Sequence, residues 1–176
     1  MSKGEFLTRL TVWIALVGYF TGIALILSRD RRKWEQTARL AWTIGCAALL
    51  VHVACAFHFY HDWSHDAAYR ETARQTAEVT SLDWGGGLYI NYAIVVGWVI
   101  DALWWWRGPD SYRRRSGLLT AIWHAFLLFI IFNATVVFKT GLLRWLGAGL
   151  CVAIGLLWLR NFRSRLRSRP DQILKA

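Results

Sequence analysis

Residues 40–60, LAWTIGCAALLVHVACAFHFY, form an apolar run without Asp, Glu, Lys or Arg. About 20 such residues in a helix match the ~30 Å hydrocarbon core of a bilayer. Four further apolar runs have a similar length, at residues 7–27, 88–106, 117–138 and 141–159. Because backbone groups in lipid must be satisfied within a helix or a closed barrel, and no alternating barrel pattern is present, the sequence predicts an all-α integral membrane bundle. Its five transmembrane helices form a single domain over residues 1–176.

The charge distribution predicts the orientation of this bundle. The chain has 21 Lys and Arg, 11 Asp and Glu, and a formal net charge of +10. Most of the positive residues lie in segments 29–39, 107–115 and 160–175, at alternate ends of the predicted bundle. Positive loops stay in the cytoplasm, so we predict an outer N-terminus, a cytoplasmic C-terminus and a bacterial inner (cytoplasmic) membrane. The charge thus indicates contact with the lipid bilayer and not with nucleic acid.

The segment that follows the second run, residues 57–69, FHFYHDWSHDAAY, is predicted at the outer face. Residues 62–77 contain no Gly and no Pro, so we expect helix 2 to continue past Tyr60 towards Glu78. In a continuous helix, one stripe roughly 100° wide would carry several polar side chains. They are His58, His61, Asp62, His65 and Tyr69. The alternative is a break of the helix at Asp62–Ser64, which would scatter this stripe.

Imidazoles three or four residues apart, together with a carboxylate, are typical ligands of copper, iron or zinc. We therefore predict a metal site formed by His58, His61, Asp62 and His65. The side chains predicted to orient these ligands or to relay protons are Asp66, Tyr69, Glu71, Asp83 and Asp101. The alternative is a hydrated, hydrogen-bonded stripe at the level of the lipid headgroups, without a metal.

A second group of polar residues lies inside the predicted spans. Asp101 and His124 share a depth near the inner ends of consecutive helices, which predicts a hydrogen bond between them or, alternatively, a proton relay or inner ligand site. His52 lies on a stripe of small residues and is interpreted as a hydrogen-bonded packing residue. A less favoured interpretation has His52 and His124 bind one haem b.

Small residues predict close helix packing. Gly18 and Gly22 are four apart in helix 1, Gly45 belongs to the stripe of helix 2, and Gly147 and Gly155 form a ridge on helix 5. Such ridges let helix backbones approach closely in a membrane.

Three functions fit these patterns. The first is an integral membrane metal- or haem-binding protein with a redox (oxidoreductase) role, for which no catalytic residue is predicted. The second is a non-catalytic subunit or assembly factor that binds other membrane subunits or a second copy of itself. The third is a small proton-coupled transporter that uses Asp101, His124 and Asn133.

Overall fold

The computed structural model describes residues 2–28, 31–137 and 141–167, and these residues contain helices and no strand. Side chains are described up to residue 160, except at 31, 142 and 143. The helices are α1 (Lys3–Ile26), α2 (Arg31–Tyr60), α3 (His65–Thr80), α4 (Gly87–Arg107), α5 (Pro109–Arg113), α6 (Gly117–Phe132) and α7 (Leu142–Arg167). A π-helical segment, Asn133–Val137, continues α6. The all-α prediction is therefore confirmed.

Within the part of the chain that the structure describes, four helices are long and apolar enough to cross a membrane: Lys3–Ile26, Arg32–Tyr60, Gly87–Arg107 and Gly117–Val137. They indicate an integral membrane protein. The predicted fifth span, residues 141–159, falls in α7, which is not among these four. The fifth span, the orientation of the bundle and the kind of membrane stay predictions.

The helices α1 and α2 pack closely through glycines. A methyl group built on Gly18 would lie 2.6 Å from the Cα of Gly45 and 2.7 Å from the carbonyl oxygen of Ala41. The backbones therefore meet without an intervening side chain, as the small-residue pattern predicts. Gly22 lies against the Trp42 ring, where a methyl group would be 3.1 Å away.

An aromatic cluster fills the space between α1, α2 and α4. Tyr19 and Trp42 are fully buried, and their ring centroids are 5.6 Å apart. Trp98 of α4 lies 5.1 Å from Trp42 and 6.0 Å from Tyr19. Three large rings at these separations bury much apolar area and hold the three helices together.

The prediction that helix 2 continues unbroken to Glu78 is wrong. The helix α2 ends at Tyr60, and Asp62 and Trp63 have φ angles of 45° and 58°. The backbone N–H of Trp63 turns back to the carbonyl of Phe57 at 3.0 Å. Ser64 then caps α3, because its side chain accepts a hydrogen bond from the N–H of Ala67. A serine cap and two left-handed residues thus break the helix without Gly or Pro.

The helix α3 lies against the start of α4. A methyl group on Gly85 would be 2.6 Å from the carbonyl oxygen of Tyr69 and 2.7 Å from its ring. The glycine turn at residues 85–87 therefore allows a close approach to α3 in addition to reversing the chain. The segment after α2 thus forms a separate helix, α3, which packs against the start of α4.

We expect the substitution Gly18→Ala to destabilise the protein, because the new methyl group would clash with the backbone of α2. Overpacking of this kind costs about 1–3 kcal/mol, so the thermal midpoint in detergent should fall. Gly155→Ala is the control, since a methyl group there has nothing within 4 Å. Equal midpoints for the two variants would contradict the packing.

Candidate functional site

The break after α2 separates the histidines of the predicted outer metal site. His58 is exposed, with its ring 4.7 Å from Phe59 and 6.4 Å from Trp63. His61 is half-buried, and its ring lies 5.8 Å from that of Phe57. These imidazoles thus contact aromatic rings.

His65 bridges α3 and α4. Its Nδ1 lies 3.1 Å from the hydroxyl of Tyr92, and its Nε2 lies 3.5 Å from the hydroxyl of Tyr89. Tyr69 extends the group, with its ring 6.2 Å from that of Tyr89. Both ring nitrogens of His65 therefore lie near tyrosine hydroxyls, and the imidazole connects α3 to α4.

Of the carboxylates predicted near the metal, Glu71 lies near enough to His61 to interact with it electrostatically, but its hydrogen bonds go to other residues. Glu71 accepts hydrogen bonds from Arg74 at 2.6 Å and from Gln75 at 2.8 Å, and the Arg74 bond lowers the pKa of Glu71. The other three carboxylates are exposed: Asp62, Asp66 and Asp83. Among the described residues, no group of three or more His, Cys, Asp or Glu could hold a metal ion. Copper, iron or zinc binding therefore stays a prediction without structural support.

Asp101 has partners other than the one predicted. Its Oδ2 accepts a hydrogen bond from the Tyr112 hydroxyl at 2.9 Å, and its Oδ1 accepts one from Arg115 Nη1. The side chains of Asp101 and Arg115 are 8% and 7% exposed. The predicted Asp101–His124 hydrogen bond is wrong, because a buried carboxylate is better compensated by a guanidinium than by a neutral imidazole.

Arg115 is held on several sides. Its Nε donates to the Thr120 hydroxyl at 2.9 Å, and its guanidinium carbon lies 4.1 Å from the centre of the Tyr112 ring. Tyr112 in turn stacks on Trp105 at 4.6 Å, with the ring planes 4° apart. The sequence pattern places Arg115 among the loop charges and does not single out Tyr112. The signal in the sequence is Asp101, because a carboxylate within a predicted span needs a cation as its partner.

His124 is buried, with 5% of its surface exposed, and neither ring nitrogen has a hydrogen-bond partner among the described residues. Its ring lies 5.6 Å from that of Trp42, at 75°. Arg115 is near enough to act on it electrostatically. We call Asp101, Tyr112, Arg115, Thr120 and His124 the inner polar centre.

His52 lies at another level of the bundle. Its Nδ1 is 2.9 Å from the carbonyl oxygen of Thr8, so Nδ1 carries the proton and donates it. His124 contacts Trp42, which precedes His52 by ten residues, or about 15 Å of helix. The geometry therefore gives no support to one haem held between His52 and His124.

A cleft of about 150 Å³ borders the inner polar centre. It opens between α4 and α6, beside the connection at residues 108–116 that joins them. Its walls are formed by Gly97, Ile100, Asp101, Trp104, Arg115, Leu119 and Trp123. Both charges of the ion pair thus line a cleft that is otherwise largely apolar.

The described residues form helices, four of which indicate a membrane protein, and a buried ion pair lies next to a cleft between two of them. The chain matches no protein-family model, no curated protein and no solved structure.

We expect Asp101→Ala to lower the stability strongly, because Arg115 would be left buried without its counter-charge. Removal of one partner of a buried pair costs about 3–5 kcal/mol, whereas replacement of both by apolar residues is often neutral. The double variant Asp101→Leu with Arg115→Met should therefore recover most of the loss in detergent unfolding assays. Asp110→Ala, at an exposed position of the same loop, should change little. If Asp101→Ala were as stable as Asp110→Ala, Asp101 would not be the counter-charge that stabilises a buried Arg115.

Proposed function

We propose that the protein is a small proton-coupled membrane carrier and that the inner polar centre is its coupling site. The observation that carries this proposal is the buried Asp101–Arg115 pair at the edge of the cleft. Ionisable side chains within membrane helices are costly, and they commonly mark substrate or proton pathways.

The pair provides a way to couple a proton to an anion. When Asp101 is ionised, it neutralises Arg115 and accepts the Tyr112 hydrogen bond. When Asp101 takes up a proton, the positive charge of Arg115 is no longer compensated. An anionic substrate then replaces the lost counter-charge, so that the proton and the anion enter the site together as a neutral pair.

His124 is a second group for proton transfer. Its ring is buried near Arg115 and has no hydrogen-bond partner among the described residues. Unlike the buried indole N–H groups of the bundle, an imidazole can both accept and donate a proton near neutral pH. We assign a proton-transfer role to His124. It would exchange protons between the inner polar centre and the side of the bundle where Trp42 lies.

The π-helical segment adds support. It interrupts the regular helix after α6, and Asn133 at its start donates a hydrogen bond to the Phe129 carbonyl at 2.7 Å. Irregular turns of this kind within long helices are frequent at functional sites. In a carrier, this segment would let the outer part of the α6 span bend relative to its inner part.

The other two predicted functions have weaker support. Gly18 and Gly45 contact each other within the chain, so these glycines are not free to bind another subunit. The metal or haem function lacks a gathered ligand set among the described residues. A partner subunit and a redox role therefore rank below the carrier.

The test is an assay in vesicles that contain the full chain and an internal pH-sensitive dye. We expect an inward gradient of a transported organic anion to acidify the interior, because one proton enters with each anion. Asp101→Asn should abolish this acidification, and Asp110→Asn in the same loop should keep it. Asp101→Glu retains a carboxylate and should restore part of the flux, which distinguishes coupling from folding.

Two results would overturn the carrier proposal. One is wild-type acidification by a correctly folded Asp101→Asn variant, as judged by gel filtration. The other is the absence of proton flux for every member of a panel of carboxylates, phosphates and sulfonates.

A further inference from the structure

The cleft between α4 and α6 has the size of a single ring. Its volume is about 150 Å³, and an apolar cavity of that volume accommodates one benzene-sized molecule. The flat side chains of Trp104 and Trp123 belong to its walls, with Ile100 and Leu119 beside them. These walls favour an aromatic ring over an extended alkyl chain.

The position of Trp123 depends on a glycine. A methyl group on Gly97 would lie 2.5 Å from the Trp123 ring. The indole therefore rests directly on the α4 backbone. This contact fixes one wall of the cleft in a defined place.

The polar end of the cleft presents a prepared hydrogen-bond donor. Arg115 uses Nε for Thr120 and Nη1 for Asp101. Arginine has five N–H donors, so these two bonds leave others on the guanidinium. A guanidinium held in this way matches a carboxylate, which can accept two parallel N–H bonds.

We infer that the cleft binds a monocarboxylate with one aromatic ring, of the benzoate class. The carboxylate lies on Arg115, the ring lies against Trp104 and Trp123, and one proton is taken up on Asp101. This inference rests on the proposed function, because it makes Asp101 the coupling carboxylate and names the class of its substrate.

The charges around Asp101 determine the direction of the pH dependence. From the inner loop, Arg115 and Tyr112 face it, and from α2, Cys46 is near enough to interact with it electrostatically. From α6, His124 lies near Arg115. An anion next to Asp101 favours the protonated carboxyl, so benzoate should bind more tightly at lower pH.

The experiment is isothermal titration of benzoate into the detergent-solubilised full chain between about pH 6 and pH 8, where a free carboxylate is ionised. If one proton is taken up with each anion, the affinity for benzoate should fall by up to about tenfold for each unit by which the pH rises. Titrations in buffers with different ionisation enthalpies should show the same proton uptake.

Three variants and one control variant separate the parts of the site. Arg115→Gln should lose benzoate binding, whereas Arg114→Gln in the same loop should keep it. Leu119→Trp should fill the cleft and prevent binding while the thermal midpoint stays near that of the wild type, because the ion pair is untouched. Asp101→Asn should bind benzoate with an affinity that no longer depends on pH.

The outcomes distinguish this inference from the carrier proposal. Benzoate binding without any proton flux in vesicles would keep the binding site and overturn the carrier. Proton flux with other anions, together with no benzoate binding, would keep the carrier and overturn the benzoate site. Benzoate binding that is equally strong across the pH range, or unaffected by Leu119→Trp, would also overturn it.

Discussion

The packing of α4 against the connection to α6 depends on one constraint, the ion pair between Asp101 and Arg115. A carboxylate on a membrane helix is unfavourable unless a counter-charge and hydrogen bonds compensate it. Arg115 provides the charge and Tyr112 provides a hydrogen bond. Since both partners come from the loop after α4, the chain has to fold back tightly there. The stacking of Tyr112 on Trp105 is a consequence of that return.

The same pair links packing to chemistry. Because Arg115 is immobilised by Asp101 and Thr120, it does not swing freely as a surface arginine does. A fixed guanidinium next to an apolar cleft has little entropy left to lose when it binds an anion. The structural role of the pair and its proposed role in binding therefore reinforce each other: the bonds that stabilise the bundle also prepare the site.

Hydropathy and small-residue spacing predicted the features that depend on local composition. The four long apolar helices and the contact of Gly18 with Gly45 follow from run length and glycine position. The break at Asp62 was not predictable in this way, because no Gly or Pro marks it and the cap on Ser64 competes with a helix of good propensity. The partners of Asp101 were missed because they are set by how the inner loop folds, which a comparison of helix depths does not include.

The two polar regions differ in how deeply their side chains are buried. After α2, His58 and Asp62 are exposed, and an exposed polar group that reaches water is satisfied at little cost. Nothing in the energetics requires them to meet. In the inner half, burial removes that option, and an ionised side chain without a partner would cost several kcal/mol. The number of histidines in a stretch is thus a weaker guide to a site than the cost of burying a single charge. By that criterion, the buried Asp101 on α4 is a stronger indication of a site than the exposed histidines after α2.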